Sequence, residues 1–320
     1  MSLSHKVTII MPYMYSAWPL IGTAHGKLLC IYTQADQHVP TVSNLYMIES
    51  ADGVNWGNRK EIFSHKTGVK GVTGIGYDKD GSLLVWYRNG LAGFDSSYYE
   101  LFKLDRDDFS FVSKPDIPFC GGHIGNLTTI PEKGMVSFYN TYGEYRSWGM
   151  IRSMDFGVTW QQIPIEENLP KEECAAEIEC VCVCEEKILV LGRKDVPSGT
   201  IAMFQMQSSD YGETWTKAYT NITDSYSGSP SVIMSQDSDE IYLYYFARTS
   251  GELKRRVAKF SDVWDNPGNW PESEVLVREP ANGYDNGNVK TVAFRGGHFC
   301  TYYAGNSTLT GVFGVIVDHE

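Results

Sequence analysis

Long hydrophobic runs are missing from this sequence of 320 residues. No stretch approaches the roughly 20 apolar residues that a membrane-spanning helix needs. The first residues include one Lys, but they contain no apolar segment of signal-peptide length and no small-residue cleavage site. The sequence therefore predicts neither a membrane span nor an export signal, and we expect a soluble protein.

Basic residues are also scarce. The chain has 27 Lys and Arg against 39 Asp and Glu, which gives a formal net charge of -12. Such a surface repels phosphate backbones at long range. Nucleic acid is therefore not expected as a partner.

The seven Cys residues include no C-x-x-C pair of the kind that zinc sites use. Three of them alternate as Cys180, Cys182 and Cys184 within an apolar run, which is typical of one face of a strand. This spacing is too regular for a disulfide framework, so we interpret these thiols as small buried hydrophobic groups. No metal and no cofactor is predicted.

Long amphipathic helical patterns are absent as well. The sequence instead contains a repeat of β-rich runs. Six times a turn precedes a β-rich run, and the run ends lie 52 to 58 residues apart. The six runs cover residues 26–32, 81–87, 134–139, 186–192, 240–245 and 297–303. A repeat of this length indicates an array of similar sheets.

Tryptophan residues recur at about the same interval as the β-rich runs. Trp160 and Trp215 each end a turn of the pattern Ser-x-Asp-x-Gly-x-Thr-Trp. In such a turn the Asp side chain bonds nearby backbone N–H groups, Gly supplies a positive φ, and Trp packs between neighbouring sheets. We therefore expect Asp155 and Asp210 to be structural residues away from any site, and both tryptophans to be buried.

The repeat predicts an all-β fold, a six-bladed β-propeller with four-stranded antiparallel blades, in a single domain over residues 1–320. An odd half-repeat remains at each end, Lys6–Met11 and Val312–Val317. These two strands would pair within one blade and close the ring, which removes the open edge. A solenoid would need capping repeats, and none is apparent.

The repeat register also groups candidate site residues. Counting back from the run ends places His123, Glu177 and Tyr284 at the start of innermost strands, and Arg88 and Arg193 directly follow two of the runs. Innermost strands converge on one face of the central channel. We therefore expect these five residues to share one funnel.

The boxed turns on a six-fold repeat resemble the Asp-box repeats of the sialidase (neuraminidase) superfamily, over nearly the whole chain. By that resemblance Tyr284 is the nucleophile and Glu177 its base. Arg193, together with Arg255 or Arg256, would grip a substrate carboxylate.

This resemblance implies a glycoside hydrolase that acts on sialic acid or a related carboxylated sugar, with retention of configuration and a Tyr nucleophile. The residue types suit that chemistry. Guanidinium groups bind a planar carboxylate through two parallel hydrogen bonds, and a phenol needs a neighbouring base to take its proton.

The sequence departs from the family at two positions. The family's Phe/Tyr-Arg-Ile-Pro motif corresponds to residues 16–20, Ser-Ala-Trp-Pro-Leu, so its Arg is missing. Arg88 could replace that Arg from the next repeat, or the substrate is not a terminal sialic acid, and we expect weak or no activity on simple sialosides. The proton donor would be Asp36, in the loop after the first repeat, or His123.

Two other functions fit the same sequence. One is a non-catalytic propeller that binds acidic glycans or proteins in a degenerate pocket. The other is a propeller glycosidase or lyase of a different family, because a fold does not fix a function. Contact between Glu177 and Tyr284, with arginines converging nearby, separates the sialidase-like hydrolase from the binding protein.

Overall fold

The structure is a computed structural model that describes residues 4–38, 40–63, 69–90, 98–114, 122–184, 186–195, 203–226, 228–281 and 285–318. This part of the chain forms 24 strands and one short helix, α1 (Phe260–Asp265). Within these ranges, no helix has the length and apolar character that crossing a bilayer requires.

The strands of the first half of the chain are β1 (Ser4–Ala24), β2 (Lys27–Ala35), β3 (Ser43–Ser50), β4 (Gly57–Phe63), β5 (Val69–Tyr77), β6 (Leu83–Gly90), β7 (Tyr98–Leu104), β8 (Phe111–Ser113), β9 (His123–Ile124), β10 (Thr128–Ile130), β11 (Gly134–Asn140), β12 (Tyr145–Ser153) and β13 (Gln161–Pro170). Those of the second half are β14 (Ala176–Cys184), β15 (Lys187–Arg193), β16 (Met203–Ser208), β17 (Thr216–Tyr219), β18 (Ser231–Met234), β19 (Glu240–Ala247), β20 (Glu252–Lys259), β21 (Glu274–Arg278), β22 (Asp285–Phe294), β23 (Gly297–Gly305) and β24 (Thr310–Val317).

The six repeated runs of the sequence form β2, β6, β11, β15, β19 and β23. These strands are buried along nearly their whole length, on both faces. A strand that is covered on both sides reads as a continuous apolar run rather than as an alternating one. The repeat was visible in the sequence because such a strand recurs six times along the chain.

The first strands of successive sheet units contact one another in a ring. β1 packs against β5, β5 against β10, β10 against β14, β14 against β18, β18 against β22, and β22 against β1. The sheets therefore surround a central channel, and the fold is an all-β propeller. Buried side chains between neighbouring sheets form the hydrophobic clusters that hold the ring together.

Closure of the ring follows the prediction, because the N-terminal and C-terminal strands pair. The first half of β1 pairs with β24, from Ser4 opposite Val317 to Tyr15 opposite Thr310. The second half of β1 pairs with β2, from Tyr15 opposite Ala35 onward. One continuous strand thus takes part in two successive units.

The prediction of six separate four-stranded sheets is wrong on this point, because β1 joins two of them. Hydrogen bonds divide the described strands into five sheets, of seven, five, four, four and four strands. The largest has the order β22-β23-β24-β1-β2-β3-β4. The number is lower than six because β1 is not interrupted at the seam between the ends of the chain.

The two matched turns have the predicted chemistry. Asp155 Oδ1 accepts a hydrogen bond from the Thr159 backbone N–H at 2.8 Å, and Gly157 has φ +101°. Trp160 is 7% exposed and packs edge to face against Trp86, which confirms its predicted burial. Trp215 is only half-buried.

Truncation of Trp160 to Ala should lower the free energy of unfolding by about 3–5 kcal/mol, because a large buried ring leaves a cavity between two sheets. Denaturant unfolding followed by fluorescence measures this change. Val158→Ala is the matched control in the same turn, since Val158 is 70% exposed. Equal stability of both variants would contradict the packing described here.

Candidate functional site

A cavity of about 400 Å³ opens at one end of the central channel. Its lining is rich in arginine, although the protein as a whole carries excess negative charge. The charged lining residues are Arg88, Arg146, Arg193, Arg248 and Glu177. Such a concentration of guanidinium groups suits a ligand with a carboxylate or another anionic group.

The antiparallel register explains why these residues meet. In a hairpin, the start of the first strand lies beside the end of the second. Ala176 therefore pairs with Arg193 and Gly71 with Arg88. The same relation repeated around the ring brings strand starts and strand ends to one mouth of the channel.

Irregular strand pairing aims further side chains into the cavity. The register shifts where β1 pairs with β2, and it shifts near the starts of β5, β14 and β22. A bulge of this kind redirects a side chain out of the regular alternation. One residue within each of these four shifts lines the cavity, namely Trp18, Thr73, Glu177 and Asn288.

Glu177 is held tightly within its bulge. Its backbone N–H donates to Asn140 Oδ1 at 2.8 Å, and its φ of +42° is left-handed. The carboxylate accepts a hydrogen bond from the Ser229 hydroxyl and lies 3.0 Å from Arg193 Nη1. Burial alone would raise the pKa of Glu177, but the nearby positive charge, that of Arg193 above all, lowers it to about 2.

Asp195 orients two of the arginines. Its Oδ2 accepts a hydrogen bond from Arg146 Nη1 at 2.6 Å, and its Oδ1 lies 3.0 Å from Arg193 Nε. Arg193 is therefore fixed from two sides, by Asp195 and by Glu177. Its side chain keeps only 13% exposure.

Arg248 is constrained differently. Its Nε is buried and has no hydrogen-bond partner among the described residues. It lies close to the backbone of Gly287, where an added Cβ would come within 2.8 Å of Arg248 Nη2. Glycine at position 287 therefore makes room for the guanidinium group. A buried donor without a partner is costly unless a ligand satisfies it.

His123 is a poor proton donor in this setting. Burial lowers its pKa to about 3, against the opposing effect of Glu177. The imidazole is consequently neutral near neutral pH. Within the described ranges, no group of three or more His, Cys, Asp or Glu side chains is arranged to hold a metal ion.

Comparisons with known proteins identify the fold but no family. No family model and no curated protein matches this sequence. Among solved structures, a protein of unknown function from Dyadobacter fermentans is similar over 99% of both chains, with a TM-score of 0.82 and 16% identity.

Two solved sialidases are also similar in fold. The Trypanosoma rangeli sialidase in complex with sialic acid matches 98% of this chain, with a TM-score of 0.71 and 11% identity, and the match spans 58% of that enzyme. The NanB sialidase of Streptococcus pneumoniae matches 99% of this chain, with a TM-score of 0.72 and 12% identity, and the match spans 70% of the NanB chain. At these identities the likeness concerns the fold alone.

The structure brings four of the sequence-predicted residues into the cavity: Arg88, His123, Glu177 and Arg193. Tyr284 lies outside the described residues. Asp36 does not line the cavity. Its carboxylate is exposed, and it accepts hydrogen bonds from the backbone N–H and the hydroxyl of Thr41 at 3.0 and 2.6 Å.

Arg255 and Arg256 correct a further expectation, because neither side chain lines the cavity. Both belong to β20, one strand further from the channel than β19. Arg255 pairs with Glu274, and Arg256 Nη2 lies 2.9 Å from Asp224 Oδ1. Arg248, which directly follows β19, lines the cavity.

The lining residues that the sequence analysis missed include Arg248, Arg146 and His38. Arg248 follows the fifth run by three residues rather than by one, so the strict count stopped at Phe246. Arg146 is the second residue of β12, a position that the repeat count did not consider. His38 lies two residues beyond Asp36, in the loop where a proton donor was sought.

Glu177 should contribute to stability in a pH-dependent manner. Its pKa is lowered from the ordinary 4.5 to about 2, so its contribution is present above about pH 4.5 and is lost as the pH falls toward 2. Between pH 5 and pH 3 the loss amounts to about 2 kcal/mol. Glu177→Gln should therefore show a shallower decline in unfolding free energy over this range.

Denaturant titrations at several pH values measure that difference. Glu132→Gln serves as the control, since Glu132 is exposed, and it should follow the parent protein. A decline in Glu177→Gln as steep as in the parent would contradict an ionised, ion-paired Glu177.

Proposed function

We propose that the protein is a sialidase-like glycoside hydrolase that acts on sialic acid or a related carboxylated sugar. The observation that carries the proposal is the meeting of Arg88, Arg193 and Arg248 with Glu177 in one cavity of a propeller channel. The cavity volume of about 400 Å³ falls within the range of small-molecule sites.

The arginines are proposed to bind the sugar carboxylate. Arg88 and Arg193 reach the cavity from the ends of β6 and β15, and Arg248 follows β19. Arg88 then replaces the Arg that is missing from residues 16–20. The unpartnered Nε of Arg248 supports this role, because an anionic ligand would supply the absent acceptor.

Catalysis is proposed to use Tyr284 as nucleophile and Glu177 as its base. Glu177 takes the phenolic proton while the Tyr oxygen bonds to the anomeric carbon and the leaving oxygen departs with a proton from an acid. Water then displaces the Tyr oxygen, with retention of configuration overall; the deprotonated acid takes the proton of the water, and Glu177 returns its proton to the Tyr oxygen. A neutral phenol approaches a carbon beside a carboxylate without charge repulsion.

The low pKa of Glu177 makes it a weak base in the empty cavity. A substrate carboxylate on Arg193 would offset the positive charge that depresses this pKa. Binding of the substrate would thus raise the basicity of Glu177 at the moment when a base is needed. The Glu177–Arg193 ion pair links recognition to proton transfer in this scheme.

A second candidate is a glycan-binding protein without catalysis. Two observations favour it: the family's first Arg is replaced by the sequence around Trp18, and Asp36 does not line the cavity. In that case the cavity binds an acidic sugar and no bond is cleaved. Assays of binding and of hydrolysis separate the two functions.

We also propose that residues 1–320 form one domain of six blades. The seven-stranded sheet would then consist of two four-stranded blades that share β1. The change of pairing partner near Tyr15 and the ring of first-strand contacts support this division.

Hydrolysis of a fluorogenic sialoside tests the proposed reaction. We expect slow, protein-dependent release of the fluorophore, and a loss of at least about 100-fold in kcat for both Tyr284→Phe and Glu177→Gln. Arg248→Met should weaken binding of N-acetylneuraminic acid about 10- to 100-fold, because charge-assisted hydrogen bonds are lost. Calorimetry measures the binding.

Arg278→Met is the matched control, since Arg278 is exposed and pairs with Glu252 away from the cavity lining. It should bind like the parent protein. Binding without hydrolysis would support the glycan-binding alternative. Absence of both would overturn the proposal.

A further inference from the structure

His38 lines the cavity and has several contacts that fix its position. Its backbone N–H donates to the carbonyl of Ser307 at 3.0 Å, which ties the loop after β2 to the loop before β24. Its ring lies edge-on to Tyr15 and to Trp18, with ring centroids 5.8 Å apart in both cases. The imidazole is therefore held at the cavity wall rather than free to rotate into solvent.

A half-buried carboxylate, that of Asp285, contacts one nitrogen of this ring. His38 Nδ1 lies 2.5 Å from Asp285 Oδ2, which also accepts a hydrogen bond from the Tyr15 hydroxyl at 2.5 Å. The other oxygen of Asp285 accepts one from the Tyr303 hydroxyl at 2.9 Å. Burial would raise the pKa of Asp285, but these donors, His38 first among them, lower it.

An ionised carboxylate is only an acceptor, so Asp285 requires a proton on Nδ1 of His38. Nε2 is then the nitrogen left for chemistry in the cavity. The same division of labour between an orienting Asp and a proton-transferring His recurs in unrelated enzymes.

The two proton donors expected from the sequence are less suitable. Asp36 is exposed, outside the cavity lining, and occupied by Thr41. His123 is kept neutral by burial. His38 lies in the same loop as Asp36 and lines the cavity.

We infer that His38 is the proton donor of the proposed hydrolysis and that Asp285 is its positioning residue. This inference rests on the proposed function. In the first step Nε2–H of the imidazolium protonates the leaving oxygen as its bond to the anomeric carbon breaks and the Tyr284 oxygen bonds to that carbon. In the second step neutral His38 takes a proton from the attacking water, while Glu177 returns its proton to the departing Tyr284 oxygen.

The dependence of rate on the leaving group tests this role. A 4-nitrophenolate leaves without help from an acid, whereas the sugar alkoxide of sialyllactose needs a proton. His38→Gln should therefore lose about 10²- to 10⁴-fold in kcat/KM on sialyllactose and less than about 10-fold on the 4-nitrophenyl sialoside. Asp285→Asn should show the same selectivity with a smaller loss.

His25→Gln is the matched control, because His25 bonds the carbonyl of Arg106 in an exposed turn and does not line the cavity. It should hydrolyse both substrates like the parent. Thermal unfolding of each variant verifies its fold, and His38→Asn replaces His38→Gln if the latter unfolds.

The outcomes are distinguishable. Equal losses on both substrates, or no loss on either, would overturn the role of His38 and leave the proposed function intact. A parent protein that cleaves neither substrate would overturn the proposed function and this inference with it.

Discussion

The cavity depends on closure of the ring through β1. The first half of this strand pairs with the last strand of the chain and its second half with β2, so the two ends of the chain are locked into one sheet. Most cavity residues come from loops, strand ends or bulges around the ring. Their distances from one another are therefore fixed only when the seam is closed.

The seam between the two ends of the chain lies next to the proposed proton donor and its positioning residue. Tyr15 sits where β1 changes partner, and its hydroxyl bonds Asp285 at the start of β22. The hydrogen bonds among Tyr15, His38 and Asp285 thus join the first and last parts of the chain. The same contacts stabilise the closed ring and orient a side chain that lines the cavity.

Charge compensation explains how several arginines share so small a space. Glu177 and Asp195 neutralise Arg193, and Asp195 also holds Arg146. Arg248 keeps a buried Nε that no described residue satisfies. The cavity is preorganised for an anion, because most of its positive charge is already positioned.

Much of this arrangement was accessible from the sequence, because buried second strands repeat at a regular interval and the register carries Arg88, Arg193 and Glu177 to one mouth. Residues in irregular segments were not accessible in this way. Arg248 deviates from the repeat by two positions, and His38 is recognised only through its contact with Asp285, which is 247 residues away. Long-range contacts between loops leave no periodic signal.

A crystal structure of the Tyr284→Phe variant with N-acetylneuraminic acid tests the central claim most directly, because the sugar would then be seen in place. We predict its carboxylate within hydrogen-bond distance of Arg88, Arg193 and Arg248, with the anomeric carbon facing residue 284. A sugar bound elsewhere, or a carboxylate turned away from these arginines, would contradict the account.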